Sequence, residues 1–450
     1  MLKCNWPTNL LEIIGPLMRM SIPLALTGLI QVVIPFLGTV FVAQLGTIEL
    51  AAAGIVGATC AFTHNLFLGT LSAINILIAR EYGARQFTTI AMIMRDSFLV
   101  GLLLTAICFF FFYYLPLLLE YLINRPTLIH PVSEYLSALI PGIPANIYLF
   151  ILAEFYLGIG QPRVIFQVSI GYVLVNVSLS YCFIFGCWGI SPMGIAGAGW
   201  AMSVSNWLIL LFLIGYSTIK YPSLLFGEWT NKTQLIYFFE ILRVGTPLSA
   251  IHSIEASTLF IVNLLMGKIS IIALGANQIT LQFLSVVLAI IFSTAQAITI
   301  RIAHLIGGNH LYLIKSTAII GFFCNIGLAT VLSILFWYFP TTLIAFVNET
   351  NTSLIHLTTS FLLIGGVFQI IDAARIALLS ILRSYKETFY PMLITLFCFW
   401  FASLPSGYFL SRTLGLGGEG LWWGLVIGNT LAVILLTPLV LSYLKESKLT

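Results

Sequence analysis

Ile78-Ala79-Arg80-Glu81-Tyr82-Gly83 returns about 224 positions later as Ile302-Ala303-His304-Leu305-Ile306-Gly307, in the same frame of apolar, small and glycine residues. Other marks keep nearly that offset: Pro23 with Pro247, and Gly194, Gly197, Trp200 and Asn206 with Gly417, Gly420, Trp423 and Asn429. A shared offset at widely separated points marks one fold unit duplicated within a single chain.

The solvent of that fold follows from composition. Of 450 residues 60% are hydrophobic and 8% charged, with a mean hydropathy of +1.05, whereas a soluble domain carries roughly 25% charged residues. Apolar stretches of at least ~18 residues, separated by short clusters of Arg, Lys, Pro, Asn and Gly, predict spanning helices rather than barrel strands. They fall near 17–42, 50–79, 92–119, 133–158, 164–187, 193–217, 241–266, 271–300, 316–345, 354–382, 389–411 and 417–443. The expected fold is an all-α polytopic membrane protein with six helices per repeat. An even number returns each half to the side it entered from, so the repeats are parallel. The lobes are read as 1–222 and 241–450, joined by a cytoplasmic linker over 223–240 that includes Gly227-Glu228-Trp229.

Basic residues set the orientation. Lys3, Arg19, Arg80, Arg85, Arg95, Arg163, Lys220, Lys232, Arg243, Arg301, Lys315, Arg383, Lys386, Lys445 and Lys448 fall on one side of this arrangement, Arg125, Lys268 and Arg412 on the other, and Arg375 within a helix. The positive-inside rule puts both termini in the cytoplasm. The net charge of +4 then describes loops facing membrane lipids. Dispersed basic residues without interleaved aromatics argue against nucleic acid. Met1 to Arg19 lacks the pattern of a cleaved signal. No glycine loop that would cradle phosphate is present, so ATP does not drive the chain from within and no cofactor is called for.

Seven cysteines scatter through the apolar helices without metal-ligand spacing and read as small buried hydrophobes. A Cys182–Cys187 disulfide is not expected. Pro23, Pro35, Pro144 and Pro247 are sites for helix bends. Trp422 and Trp423, near a helix end, read as interfacial anchors.

Function is sought among polar groups within the bilayer. Glu255 in Ser253-Ile254-Glu255-Ala256-Ser257 and Asp372 in Gln369-Ile370-Ile371-Asp372-Ala373 lie well inside the seventh and tenth helices. Burying a carboxylate at that depth costs several kcal/mol unless it is protonated, paired or wet. Two acids facing one cavity would raise at least one pKa toward neutrality or would bind a cation. The bland alternative is a hydrogen bond between helices. Arg375, one turn from Asp372, is a local partner that would lower its appetite for a cation, and His252 either shares the Glu255 proton or simply packs. Glu154, near the end of the fourth helix, is expected to be solvated.

Gly245-Thr246-Pro247 through Glu255, Gly275-Ala276-Asn277-Gln278-Ile279, Ile300-Arg301-Ile302-Ala303-His304 and Leu382-Arg383-Ser384-Tyr385-Lys386-Glu387-Thr388 carry a resemblance, supported by Gly158-Ile159-Gly160-Gln161-Pro162 and Gly194-Ile195-Ala196-Gly197-Ala198-Gly199. In order and spacing, over roughly Ile14 to Leu439, the chain resembles the bacterial NorM-like branch of the multidrug and toxic compound extrusion (MATE) family. The resemblance implies two six-helix lobes around a central cleft, and efflux of bulky, often cationic amphipathic compounds in exchange for H+ or Na+. It implies cation coupling, with a possible Na+ site, at Glu255 and Asp372, modulated by Arg375 and His252. It places Gln31, Gln278 and Asn176 near the cleft, and Gln31 is the repeat mate of Glu255. A duplicated chain already holds both halves of its pathway, so a monomer is expected.

Two departures matter. Leu37-Gly38-Thr39 stands where relatives place an aspartate in the first helix, and Phe368 stands where they often place a tyrosine. Both remove oxygens that a sodium site would use, and a proton needs only one carboxylate with a tuned pKa. Two rivals have other signatures. A lipid-linked oligosaccharide flippase would favour several arginines toward the cleft, where only Arg375 lies in a predicted span. A polytopic membrane enzyme would cluster its ligands, whereas the six histidines are dispersed.

Overall fold

The computed structural model describes residues 11–123, 126–187, 189, 191–227, 235–345 and 351–446. Arg125, Lys3, Lys232, Lys448 and residues 228–234 of the expected linker, with the Glu228-Trp229 dipeptide, lie outside them. Among the described residues twelve helices are long and apolar enough to cross a membrane: α1 Ile13–Ala43, α2 Thr47–Gly83, α3 Phe87–Tyr121, α4 Thr127–Gly158, α5 Pro162–Phe185, α6 Ile195–Lys220, α7 Ile236–Ile269, α8 Ile271–Gly307, α9 Leu311–Tyr338, α10 Thr352–Ser384, α11 Phe389–Arg412 and α12 Gly417–Lys445. No strand occurs among the described residues.

Most helices overrun their apolar stretches, because backbone hydrogen bonding carries on past the hydrocarbon into segments such as Arg80–Gly83 and Arg301–Gly307. Proline cuts others short. α9 stops at Tyr338 before Pro340, which opens a separate short helix Pro340–Ala345. α4 is broken by a 3-10 turn at Ile140–Gly142, which contains Pro141 and is followed by Pro144. In α11 the stretch Phe397–Ser403 is a π-helix.

The duplication reappears in the hydrogen bonds at helix ends. α2 closes with Ala84 N–H to Arg80 O, Arg85 N–H to Tyr82 O and Gln86 N–H to Glu81 O, and α8 with Gly308 to His304, Asn309 to Ile306 and His310 to Leu305. Arg85 and Asn309 both take φ 57. α4 and α10 end alike: Gly160 bonds to Leu157 and Gln161 to Tyr156, as Lys386 bonds to Arg383 and Glu387 to Leu382. There Gly160 has φ 75 and its mate Lys386 φ 64. These are left-handed C-caps that satisfy the last carbonyls of each helix.

By contacts the chain forms two compact units, Leu26–Ser249 and Met1–Ala25 with Ala250–Thr450. Their limits fall inside α1 and α7, whereas the sequence places lobe limits in the loop before α7. In the first unit α2 and α4 approach so closely that a Cβ on Gly158 would lie 2.7 Å from Ile78 Cβ. In the second, Gly424 and Gly407 bring α12 onto α11. Small residues at such crossings let backbones approach, which drives helix packing where no hydrophobic effect operates.

Three expectations are corrected. Cys182 and Cys187 form a disulfide, with Cα atoms 4.9 Å apart, because α5 ends at Phe185 and Gly186 turns the chain back with φ 83. Trp422 is 1% exposed and packs on Phe361 and Phe368. It is a core residue, and only Trp423 is exposed. Glu154 is not solvated but buried, because α2 and α3 pack over the last turns of α4.

Candidate functional site

α7 and α10 bring three of the singled-out residues together inside the second unit. Arg375 donates from Nε to Asp372 Oδ1 at 2.9 Å, and Nη2 lies 2.7 Å from the same oxygen. Its Nη1 donates to Glu255 Oε1 at 2.6 Å. One guanidinium thus bridges two carboxylates from helices 120 residues apart in sequence. The i, i+3 spacing of Asp372 and Arg375 sets the local half of the bridge. The half that reaches Glu255 depends on how α7 lies beside α10.

Burial along the bridge is uneven, and the Glu255 side chain is 18% exposed. Asp372 is 4% exposed and Arg375 2%. The guanidinium carbon lies 5.1 Å from the ring centre of Phe399, which sits in the π-helical stretch of α11. An aromatic face adds attraction for a cation, and π turns are frequent at functional sites. Trp400 Nε1, next along that stretch, donates to Ser257 Oγ at 3.2 Å and ties α11 to α7. Asn429 on α12, wholly buried, has its side chain beside Asp372.

His252 stands one turn before Glu255, with Nδ1 3.9 Å from Oε2. That is too long for a hydrogen bond. Its ring lies 6.4 Å from that of Phe292. Arg383, further along α10, acts electrostatically on both Glu255 and His252. With both acids ionised and His252 neutral, the bridge proper carries two negative charges against one positive.

The other singled-out residues lie elsewhere. Gln278 Nε2 donates to Asn263 Oδ1 at 3.2 Å, and Asn277 Nδ2 donates to the same oxygen at 2.7 Å. Asn263 is eight residues beyond Glu255 on α7, about 12 Å along the axis, so this amide group is separate from the acids. Asn176 is buried on α5, with Nδ2 3.5 Å from Ser205 Oγ. Gln31 is exposed on α1. Both belong to the first unit.

Sequence reasoning missed Phe399, Asn429, the long arm of Arg375 and the burial of Glu154. Asn429 had a signal, since it is the repeat mate of Asn206, and a polar residue kept in both copies of an apolar helix is an unusual feature. The Phe399 contact had none, because nothing in Phe397-Cys398-Phe399 foretells a π turn.

The family follows from comparison of the whole chain. The MatE family model matches residues 23–182 and again 247–409, once in each repeat. The chain belongs to the MatE family. Among curated relatives of this MATE chain, multidrug resistance protein PmpM of Pseudomonas aeruginosa is 27% identical over 430 residues, which cover 93% of the chain and 89% of the relative. Multidrug resistance protein NorM of Burkholderia vietnamiensis is 27% identical over 426 residues, covering 93% and 91%. A solved outward-facing MATE multidrug resistance transporter superposes with a TM-score of 0.87 at 18% identity, over 97% of this chain and 96% of that one. Fold and family agree with the resemblance in the sequence. The chain is a multi-pass membrane transporter of the MATE type, not an enzyme.

Proposed function

We propose that this MATE chain is a secondary antiporter that exports amphipathic, often cationic drug-like compounds, with Glu255, Arg375 and Asp372 as its coupling centre. The observation that carries the reading is the buried Arg375 bridge between the two acids. A guanidinium in a low-dielectric site leaves one excess negative charge, and a proton or cation that neutralises it must loosen one arm of the bridge. Loosening either arm unties α7 from α10 and biases the populations of two conformations. A few kcal/mol of differential affinity is sufficient for that.

The proton is the favoured ion. A sodium ion wants several oxygen ligands, and here Arg375 already engages an oxygen of each acid, while Phe368 packs on Trp422 and offers none. The flippase alternative is disfavoured on the same ground, because Arg375 is committed to carboxylates and is not free to hold a pyrophosphate. Relatives named multidrug resistance proteins support the substrate class. A bacterial cytoplasmic membrane, cytoplasmic termini and a monomer complete the proposal.

The test is cationic-dye export from proteoliposomes under a pH gradient alone and then a sodium gradient alone, with Glu255→Gln and Asp372→Asn as controls. Export driven by the pH gradient and lost in both variants is the expected result. Export driven only by sodium overturns the choice of ion, and movement under neither gradient by folded protein overturns the antiport reading.

A further inference from the structure

The first unit buries an acid of its own. Glu154, on the last turns of α4, is 3% exposed, and its one polar partner among the described residues is the amide of Asn75 on α2, which is equally buried and donates from Nδ2 to Oε2. Among the described residues no ion pair reaches Glu154. The helices packed on this half of α4 are α2, α3, α5 and α6. On α2, Arg80 and Glu81 lie further along the helix. On α3, Asp96 is held by Arg95 at 2.8 Å. On α5, Arg163 stands at the first turn, and on α6 Lys220 lies over the rings of Tyr216 and Tyr221. None of these groups is ion-paired with Glu154, whose hydrogen-bond partner is Asn75.

An ionised carboxylate buried at this level against one neutral amide is strongly disfavoured. The amide is also left incomplete, because Asn75 Oδ1 is buried without a hydrogen-bond partner. A protonated Glu154 resolves both problems. Its O–H donates to the amide oxygen while the amide N–H donates to its carbonyl, a closed pair with no orphaned atom. α2 and α4 cross tightly one turn from the pair, where the Cβ that Gly158 lacks would lie 3.1 Å from Asn75 O and 2.7 Å from Ile78.

The other repeat shows that the fold does not need an acid here. At the offset that aligns the ends of α2 with α8 and α4 with α10, Asn75 corresponds to Thr299 and Glu154 to Ser380. That pair also meets, Thr299 Oγ1 donating to Ser380 O at 3.0 Å. Neutral hydroxyl residues hold the same crossing in the second unit.

We propose that Asn75 and Glu154 form a proton-binding site in the N-terminal unit, separate from the Glu255–Arg375–Asp372 centre, whose proton exchanges with the aqueous phase nearest the end of α4. Glu154 is one turn from that end, about 6 Å along the axis. The site rests on burial and partners alone, and only its use in transport rests on the antiport reading.

The experiment is infrared spectroscopy of the purified full-length protein, following the C=O stretch of protonated carboxyls from roughly pH 5 to 9. The wild type should show a band that shifts in heavy water and fades as pH rises, and Glu154→Gln should lack it. The double variant Asn75→Thr with Glu154→Ser, which copies the pair in the other repeat, should also lack it and covers the case in which Glu154→Gln fails to fold. A fading band that survives in folded variants assigns the proton elsewhere and overturns the proposal. A Glu154 band unchanged across the range makes the acid permanently neutral and overturns the exchange. Glu255→Gln should leave the Glu154 band in place, so this test and the dye-export test fail independently.

Discussion

Two copies of one fold unit have placed their buried charges at different points. Where the C-terminal repeat carries Glu255, Asp372 and Arg375, the N-terminal repeat, aligned on its helix ends, has Gln31, Asn146 and Leu149. Where the N-terminal repeat buries Asn75 with Glu154, the C-terminal one has Thr299 against Ser380. Backbone features survive the divergence: the capping bonds after α2 and α8 coincide atom for atom, and after α4 and α10 the last two bonds coincide as well. The difference teaches that helix ends answer to the backbone's need for hydrogen bonds in lipid, whereas the charges are local choices that the scaffold tolerates in either copy.

That contrast can be broken most forcefully at the acids. Glu255→Gln, which gives the C-terminal repeat the residue type of its mate, should reduce gradient-driven dye export by tenfold or more, about 1.4 kcal/mol at the least, with unchanged elution on size exclusion. The reverse change, Gln31→Glu in that background, should not restore export, because the N-terminal repeat offers Leu149 where Arg375 would be needed. Restored export would show the repeats to be interchangeable.

Arg375→Leu, again the mate's residue type, leaves two buried acids without their bridge. Removing one partner of a buried pair costs about 3–5 kcal/mol, so a marked fall in the melting temperature of detergent-purified protein is expected. Adding Glu255→Gln should recover part of it. No change in melting on Arg375→Leu would mean that the bridge carries no stability.

Helix crossings give the next effect. Gly158→Ser copies Ser384, but its Cβ meets Ile78, and overpacking of this kind costs about 1–3 kcal/mol. Equal melting of variant and wild type would show that α2 and α4 can part without penalty. The smallest effect belongs to the left-handed caps. Gly160→Ala should cost about 1 kcal/mol and Lys386→Gly should gain at most a similar amount, read as opposite shifts in melting temperature.

The sequence made the duplication, the twelve spans and the two C-terminal acids legible, because apolar runs and intramembrane carboxylates are local signals. It placed Arg375 beside Asp372 for the same reason, since both lie on one turn of one helix. The contact from Arg375 to Glu255 depends on the packing of α7 against α10, which no window of residues contains. Glu154 was misjudged because the apolar run of α4 ends where the helix end seems to begin, and the burial comes from neighbouring helices. Trp422 failed likewise: its position near a helix start suggested the interface, while Phe361 and Phe368 enclose it.

The Cys182–Cys187 bond also acts as a compass. A disulfide persists where the surroundings are oxidising and is lost where thiol buffers reduce it, so under the proposed orientation the bond at the end of α5 lies on the side that keeps it oxidised. Arg163, at the opposite end of the same helix, is then on the side to which the proposal assigns the basic loops. Redox chemistry and loop charge are unrelated physical signals, and the proposed orientation satisfies both.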